Sequence, residues 1–150
     1  TPYQAVVVAS LIEREAAVPE ERAKMARVIY NRLAQGIPLG IDASLNYALG
    51  RPATTESDLA TDSPYNLREV AGLPPTPISV PGRASLQAAV APAAGEWLYY
   101  VLADESGRHT FTNTYDPPIG RIGEFCEPLT RSSMLSSRIW FSCATALAAQ

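Results

Sequence analysis

Two carboxylates near the start of the chain, Glu13 and Glu15, have the spacing and setting that acid chemistry needs. The stretch before them has no charged side chain, and a helix that is apolar on every side belongs in a protein core. Residues two apart on a helix differ by about 200° of rotation, so the two glutamates face different directions. Glu15 continues the stripe of Leu11 and Ile12, which is expected to be buried.

A buried setting would suit one of these carboxyl groups to act as a general acid near neutral pH. Contact with apolar surface disfavours the charged form and raises the pKa of a carboxyl group. The C-terminal end of the helix dipole acts in the same direction. The alternative is that both are surface glutamates paired with Arg14 or Arg22, which is the more common arrangement for a glutamate on a helix.

The composition of the chain limits the classes of function. With 150 residues and 47% hydrophobic content, the chain is long and apolar enough for one globular domain with a core. A net charge of −3 gives no basic surface for nucleic acid, and no apolar run reaches the roughly 20 residues that span a bilayer. No glycine-rich phosphate loop or Cys/His cluster is present, so no cofactor or metal ion is predicted. Cys126 and Cys143 could form a disulfide in an oxidising compartment.

Hydrophobic periodicity and the placement of Gly and Pro predict an α+β fold. An αα-hairpin carrying the glutamates comes first, and its second helix is expected to begin at Pro19 and end at Gly36. Asp42 or Ser44 is expected to cap a short third helix. Residues 62–78 are rich in Pro and are predicted to form ordered loops beside a groove. The other predicted elements are helices over 43–49, 56–59 and 83–91, and a small antiparallel sheet with strands over 97–103 and 109–112 and a turn over 105–108.

Several polar and aromatic side chains elsewhere suit a carbohydrate site. Such a site uses an acid for the glycosidic oxygen, amides for hydroxyl and acetamido groups, and rings that stack on sugar faces. The only histidine, His109, is more typical of a structural hydrogen bond than of a catalytic triad. Asn31 and Arg32 lie on the second helix, where a polar outer face also explains them. The carbohydrate candidates are the carboxylates Asp42 and Asp62, the amides Asn31, Asn46, Asn66 and Asn113, and the rings Tyr47, Tyr65 and Tyr99.

Short motifs follow one another along residues 5–116 in a distinctive order. They include ASLIERE at 9–15, NRLAQG at 31–36, DSPYN at 62–66, GLPPTPI at 72–78 and HTFT at 109–112. A single block of this kind is a weak signal, but many blocks in register are specific. In this order they resemble the MltG (YceG-like) endolytic murein transglycosylases.

The resemblance implies an enzyme of the bacterial envelope, anchored in the cytoplasmic membrane by one N-terminal helix outside this sequence, with its catalytic domain on the extracytoplasmic face. Its substrate would be the glycan strands of peptidoglycan. There it would cut the β-1,4 bond between N-acetylmuramic acid and N-acetylglucosamine without water and leave a 1,6-anhydromuramoyl end. The resemblance implies no cofactor, and peptidoglycan synthases are candidate partners.

The resemblance also assigns roles to residues. The family's catalytic glutamate is the second of its Glu-x-Glu motif and matches Glu15, while Glu13 matches a supporting residue or an alternative acid. One carboxylate is enough in this chemistry because the substrate's own C6 hydroxyl is the nucleophile. The family commonly has Thr where this chain has Ala16. The candidate substrate-binding residues are Asn31, Asp42, Tyr47, Tyr65, Asn66 and His109.

The extent of the resemblance divides the chain in two. Residues 1–116 are expected to be the catalytic domain without its N-terminal portion, and 117–150 an unrecognised tail, either atypical or read in a shifted frame. Two alternatives stay open for the function. One is a peptidoglycan hydrolase in which Glu15 works with Asp42 or Asp62, and the other is a non-catalytic glycan-binding scaffold in which Glu15 is a structural acid.

Overall fold

The computed structural model describes residues 1–103 and 106–114, which contain five α-helices followed by a two-stranded antiparallel sheet. The α+β fold is therefore as predicted. The predicted tail and part of the predicted turn at 105–108 lie outside the described residues. Among the described helices, none has the length and apolar content to cross a membrane. The elements are α1 (Pro2–Glu15), a 3₁₀ turn (Pro19–Glu21), α2 (Arg22–Gln35), α3 (Asp42–Leu49), α4 (Glu56–Leu59), α5 (Arg83–Val90), β1 (Tyr99–Leu102) and β2 (His109–Thr112).

Helix α1 forms because its start is capped and its body is apolar. Thr1 Oγ1 accepts a hydrogen bond from the Gln4 N–H at 3.2 Å, and Pro2 takes the first helical position, where no amide donor is needed. Every residue from Val7 to Ile12 is buried. The helix packs against α2, α3 and α5, so the expectation that it lies in the core is confirmed.

The second helix of the hairpin begins at Arg22, three residues later than predicted. The residues before it wind as a 3₁₀ turn, in which the Glu21 N–H donates to Val18 O at 3.2 Å. Tighter turns of this kind are common at helix starts. Gly36 ends α2 as predicted, in the left-handed conformation with φ of 68° that favours glycine.

Helix α3 begins without the side-chain cap that the sequence predicts. The N-cap residue is Ile41, whose apolar side chain accepts no hydrogen bond from the first turn. The Asp42 carboxylate instead pairs with Arg68, with Nε and Oδ1 2.6 Å apart, while Ser44 lies buried. The cap prediction is wrong because a charged partner, which makes a stronger hydrogen bond than a backbone amide, holds the aspartate.

The two strands keep a register that places rings together. Tyr100 lies opposite Phe111, and both rings pack against the core. The ladder continues past the strand ends, because the Leu98 N–H donates to Thr112 O at 2.9 Å and the Ala103 N–H donates to Arg108 O at 2.7 Å. The predicted hairpin over 97–112 is therefore confirmed in its described part.

A buried serine fastens α1 to the proline-rich segment. Ser10 Oγ donates to Val7 O at 2.7 Å and accepts a hydrogen bond from the Ile78 N–H at 3.0 Å. Ser79 Oγ donates to the Ser10 carbonyl at 3.0 Å. The proline-rich segment has few amide donors and lies against the apolar helix α1. These hydrogen bonds satisfy the Ile78 N–H, which is buried in that contact.

We expect Ser10→Ala to lower the free energy of unfolding by about 1–3 kcal/mol, because the Ile78 N–H then loses its acceptor in the core. Ser44→Ala is the matched control, since Ser44 Oγ is buried and has no hydrogen-bond partner among the described residues. That variant is expected to leave the free energy of unfolding unchanged or to raise it. Urea unfolding measures both, and equal destabilisation by the two substitutions would contradict this account.

Candidate active site

Glu15 ends α1 at the border between core and solvent, and its side chain is half-buried. The Tyr100 phenol of β1 donates a hydrogen bond to Glu15 Oε2 at 3.3 Å. Ala16, which follows, is buried and extended, with ψ of 104°, and its N–H donates to Ile12 O. The end of the buried helix therefore presents its carboxylate to a ring from the sheet.

Glu13 faces a different element, as the rotation between the two glutamates predicts. Its Oε2 accepts hydrogen bonds from Ser85 Oγ at 2.6 Å and from the Gly82 N–H at 3.1 Å. A Cβ at position 82 would lie 3.4 Å from the same oxygen, an ordinary contact distance. Arg22 Nε donates to Ser85 Oγ at 3.2 Å. Glu13 thus fastens α1 to the start of α5, where a helix dipole favours negative charge.

Tyr100 is held as a neutral phenol. Burial and the negative charge of Glu15 raise its pKa well above the ordinary value, and the charge of Asp42 adds to this effect. The positive charge of Arg32 opposes them with a smaller effect. The phenol therefore keeps its proton at neutral pH and can donate it to a hydrogen bond with the carboxylate of Glu15.

Arg32 organises the site, although sequence reasoning assigned it to a polar outer face. Its Nε donates to Leu98 O at 2.6 Å, and its Nη1 donates to the carbonyls of Pro38 and Leu39, both at 2.9 Å. The guanidinium lies 4.8 Å from the centre of the Tyr99 ring. Burial lowers its pKa. The side chain joins α2, the loop before α3 and the start of β1, and the NRLAQG motif was the signal that could have identified it.

Asn31, beside Arg32, holds the chain just before β1. Its Nδ2 donates to Gly95 O at 3.2 Å and to Trp97 O at 2.9 Å. The amide nitrogen therefore serves the backbone of this chain. Contact of Asn31 with substrate stays a prediction.

Three other predicted site residues lie around α3 and the proline-rich loops. Arg68 Nε donates to Asp42 Oδ1 at 2.6 Å, and Arg68 Nη2 donates to Asp42 Oδ2 at 3.0 Å. The rings of Tyr47 and Tyr65 have centres 5.5 Å apart, and Tyr47 is 50% exposed. The Tyr65 hydroxyl lies 2.8 Å from Thr76 Oγ1. The exposed ring of Tyr47, supported by the partly buried ring of Tyr65, is a surface on which a sugar could stack.

The remaining two predicted site residues are engaged inside the fold. Asn66 is 1% exposed, and its Nδ2 donates to the carbonyls of Leu59 and Thr61 at 2.9 and 3.0 Å. His109 Nδ1 lies 2.8 Å from Glu21 Oε2, and the His109 N–H donates to Glu21 Oε1 at 2.9 Å. The imidazole and the Tyr100 ring are nearly perpendicular, with centres 5.5 Å apart. His109 thus packs against the ring of Tyr100, whereas Asn66 holds the end of α4 and the loop that follows it. Their roles in substrate binding stay predictions.

No group of three or more His, Cys, Asp or Glu side chains suited to a metal ion occurs in residues 1–103 and 106–114. The arrangement that the structure builds is instead one carboxyl group, one neutral phenol and two charges of opposite sign nearby, Arg32 and Asp42. This set can donate a proton, accept it back, and stabilise the carboxylate in between.

Comparison with known proteins finds similar sequences. The model of the YceG-like family matches residues 1–117. An endolytic murein transglycosylase of Bacillus subtilis (strain 168) is 40% identical over 114 residues, which make up 75% of this chain and 31% of that protein. An endolytic murein transglycosylase of Streptococcus pneumoniae serotype 2 is 31% identical over 131 residues, or 83% of this chain and 24% of that protein. This chain therefore spans less than a third of the length of either curated relative.

A solved structure has a similar fold. The 2.6 Å crystal structure of a YceG-like protein from Listeria monocytogenes aligns with a TM-score of 0.73 at 37% sequence identity. The alignment covers 80% of this chain and 39% of that chain.

We expect Arg32→Lys to lower the free energy of unfolding by about 2–3 kcal/mol. A lysine ammonium cannot reproduce the planar fork that reaches the Leu98, Pro38 and Leu39 carbonyls together. The matched control is Arg83→Lys at an exposed position, which is expected to change the free energy of unfolding by less than about 0.5 kcal/mol. Thermal and urea unfolding measure the difference, and equal stability of the two variants would contradict the bridging role.

Proposed function

The chain belongs to the YceG-like family, and we propose that it carries the catalytic domain of an endolytic murein transglycosylase. In this proposal it cleaves the β-1,4 bond between N-acetylmuramic acid and N-acetylglucosamine within glycan strands and leaves a 1,6-anhydromuramoyl end. The observation that supports it most is Glu15, half-buried at the end of an apolar helix and hydrogen-bonded by the neutral phenol of Tyr100.

The proposed mechanism uses Glu15 twice. The protonated carboxyl group first gives its proton to the glycosidic oxygen as the bond from that oxygen to the muramoyl C1 breaks. The resulting carboxylate then takes a proton from the C6 hydroxyl of the same muramoyl unit, whose oxygen forms the new bond to C1. Glu15 ends protonated and no water is consumed. Tyr100 donates to Oε2 throughout, which orients the carboxyl group and stabilises the carboxylate intermediate.

The settings of the two candidate second carboxylates favour this reaction over hydrolysis. A hydrolase needs a second carboxylate as base or nucleophile. Asp42, one candidate, accepts a hydrogen bond from Arg68 on each of its two oxygens, so both oxygens are already engaged in an ion pair. Asp62, the other candidate, is an exposed residue of the segment after α4.

We propose further that the domain works on the extracytoplasmic face of the cytoplasmic membrane, held there by an N-terminal anchor outside these residues. Its partners are peptidoglycan glycan strands and, in wall assembly, peptidoglycan synthases. We assign the exposed ring of Tyr47 and the partly buried Tyr65 and Asp42 beside it to the substrate groove.

Glu15→Gln is expected to lower the rate of glycan cleavage at least about 10³-fold, because an amide cannot transfer the proton. Glu13→Gln is the matched control, since its amide oxygen can still accept from Ser85 and Gly82, and we expect it to retain activity within about tenfold. Mass spectrometry of digested peptidoglycan measures the products. Anhydro ends support the proposal, reducing ends would identify a hydrolase, and unchanged cleavage by Glu15→Gln would remove Glu15 from catalysis.

Tyr100→Phe is expected to lower kcat about tenfold or more with little change in KM, because the carboxylate loses a charge-assisted donor worth about 1.5–3 kcal/mol. The raised pKa of the phenol keeps it protonated, so the loss should be the same between about pH 6 and pH 9. Tyr30→Phe is the control, because it removes a partly buried hydroxyl that donates to Ala89 O at 2.7 Å and not to Glu15. An equal fall in kcat for both variants would indicate a general loss of stability instead.

A further inference from the structure

A concave site lies beside the start of β1 and the end of β2. This cleft has a volume of about 250 Å³ and is lined by Glu96, Trp97, Phe111, Thr112 and Asn113. It is smaller than the roughly 300 Å³ at which pockets for whole drug-sized ligands begin, so it suits one ring of a longer ligand. We infer that this cleft binds a single sugar ring of a glycan strand, away from the bond that is cut.

The aromatic wall of the cleft is fixed before any ligand arrives. The Trp97 and Phe111 ring centres are 5.9 Å apart, at a tilt of 59°. A Cβ at position 95 would lie 2.4 Å from the indole, so Gly95 lets that ring lie directly on the backbone. Asn31 Nδ2 holds the Gly95 and Trp97 carbonyls. A rigid ring at a surface loses little conformational entropy when a ligand stacks on it.

A cation completes the support of the two rings. The Lys24 ammonium lies 5.8 Å from the Trp97 ring centre and 5.4 Å from the Phe111 ring centre, within the range of cation–π attraction. Helix α2 therefore positions the aromatic wall through two side chains, Lys24 and Asn31.

The polar groups at the mouth of the cleft match a sugar. Within the described residues, neither the Glu96 carboxylate nor the Asn113 amide has a hydrogen-bonding partner, and both side chains are exposed. A carboxylate accepts from sugar hydroxyls, and an amide can both donate to and accept from an acetamido group. An aromatic face beside an amide and a carboxylate suits a pyranose ring. The negative charge of Glu96 would repel an anionic ligand.

The cleft adjoins the candidate active site through one ring. Phe111 lines the cleft and also contacts the Tyr100 ring, with centres 6.1 Å apart, and Tyr100 in turn donates to Glu15. The inference rests on the proposed function, because a strand that is cut internally has further sugars beyond the broken bond. One of those sugars occupies the cleft while Glu15 acts at another.

The test measures binding without cleavage, in the full chain carrying Glu15→Gln. The probe is the peptide-free N-acetylglucosamine hexamer, titrated by calorimetry. Adding Trp97→Ala is expected to raise Kd about tenfold, as the loss of a buried aromatic contact does, and Trp97→Phe is expected to recover part of the affinity. Asn113→Ala and Glu96→Gln, at exposed positions that the fold does not need, are each expected to raise Kd about threefold.

The control is Tyr3→Ala, which removes a ring that is 55% exposed at the start of α1 and should leave Kd unchanged. Unchanged Kd in the Trp97, Asn113 and Glu96 variants would overturn the inference, as would a Trp97 dependence found only with peptide-bearing muramyl fragments. In the chain with intact Glu15, absence of anhydro products together with Trp97-dependent hexamer binding would overturn the proposed reaction but keep the cleft.

Discussion

A helix that is apolar on every side but ends in two carboxylates imposes the main constraint on this fold. The body of α1 must be buried, yet neither glutamate can be buried without partners. The structure satisfies both demands by turning the two side chains to different elements. Glu13 meets the start of α5 through Ser85 and Gly82, and Glu15 meets the phenol of Tyr100.

Helix α2 extends this solution to the rest of the chain. It supplies Arg32 and Asn31, which donate hydrogen bonds to five backbone carbonyl oxygens outside the helices. The loop before α3 and the start of β1 are thereby held on one side of the hairpin. The electrostatic field around Tyr100 follows from the same placement, because Arg32 and Asp42 both act on that phenol.

The local features of this fold were predictable, and the long-range ones were not. Hydrophobic periodicity and the positions of Gly and Pro predict the helices and the β-hairpin, because these signals depend on residues only a few positions apart. The different directions of Glu13 and Glu15 followed from helical rotation alone. Arg32 and Tyr100 were missed because their roles depend on carbonyls and charges from distant segments. The cap at α3 was misjudged for a similar reason, since Asp42 is held by Arg68, 26 positions later in the chain.

The pairing of Tyr100 with Glu15 joins residues 85 positions apart, and that of His109 with Glu21 joins residues 88 apart. Contacts between residues so far apart in sequence form late in folding, because closing a long loop costs conformational entropy. Helices α1 and α2 can form early from local interactions, so Glu15 is in place on its helix before Tyr100 packs against it. During synthesis from the N-terminus, an acid site of this design stays incomplete until β1, which carries Tyr100, has left the ribosome.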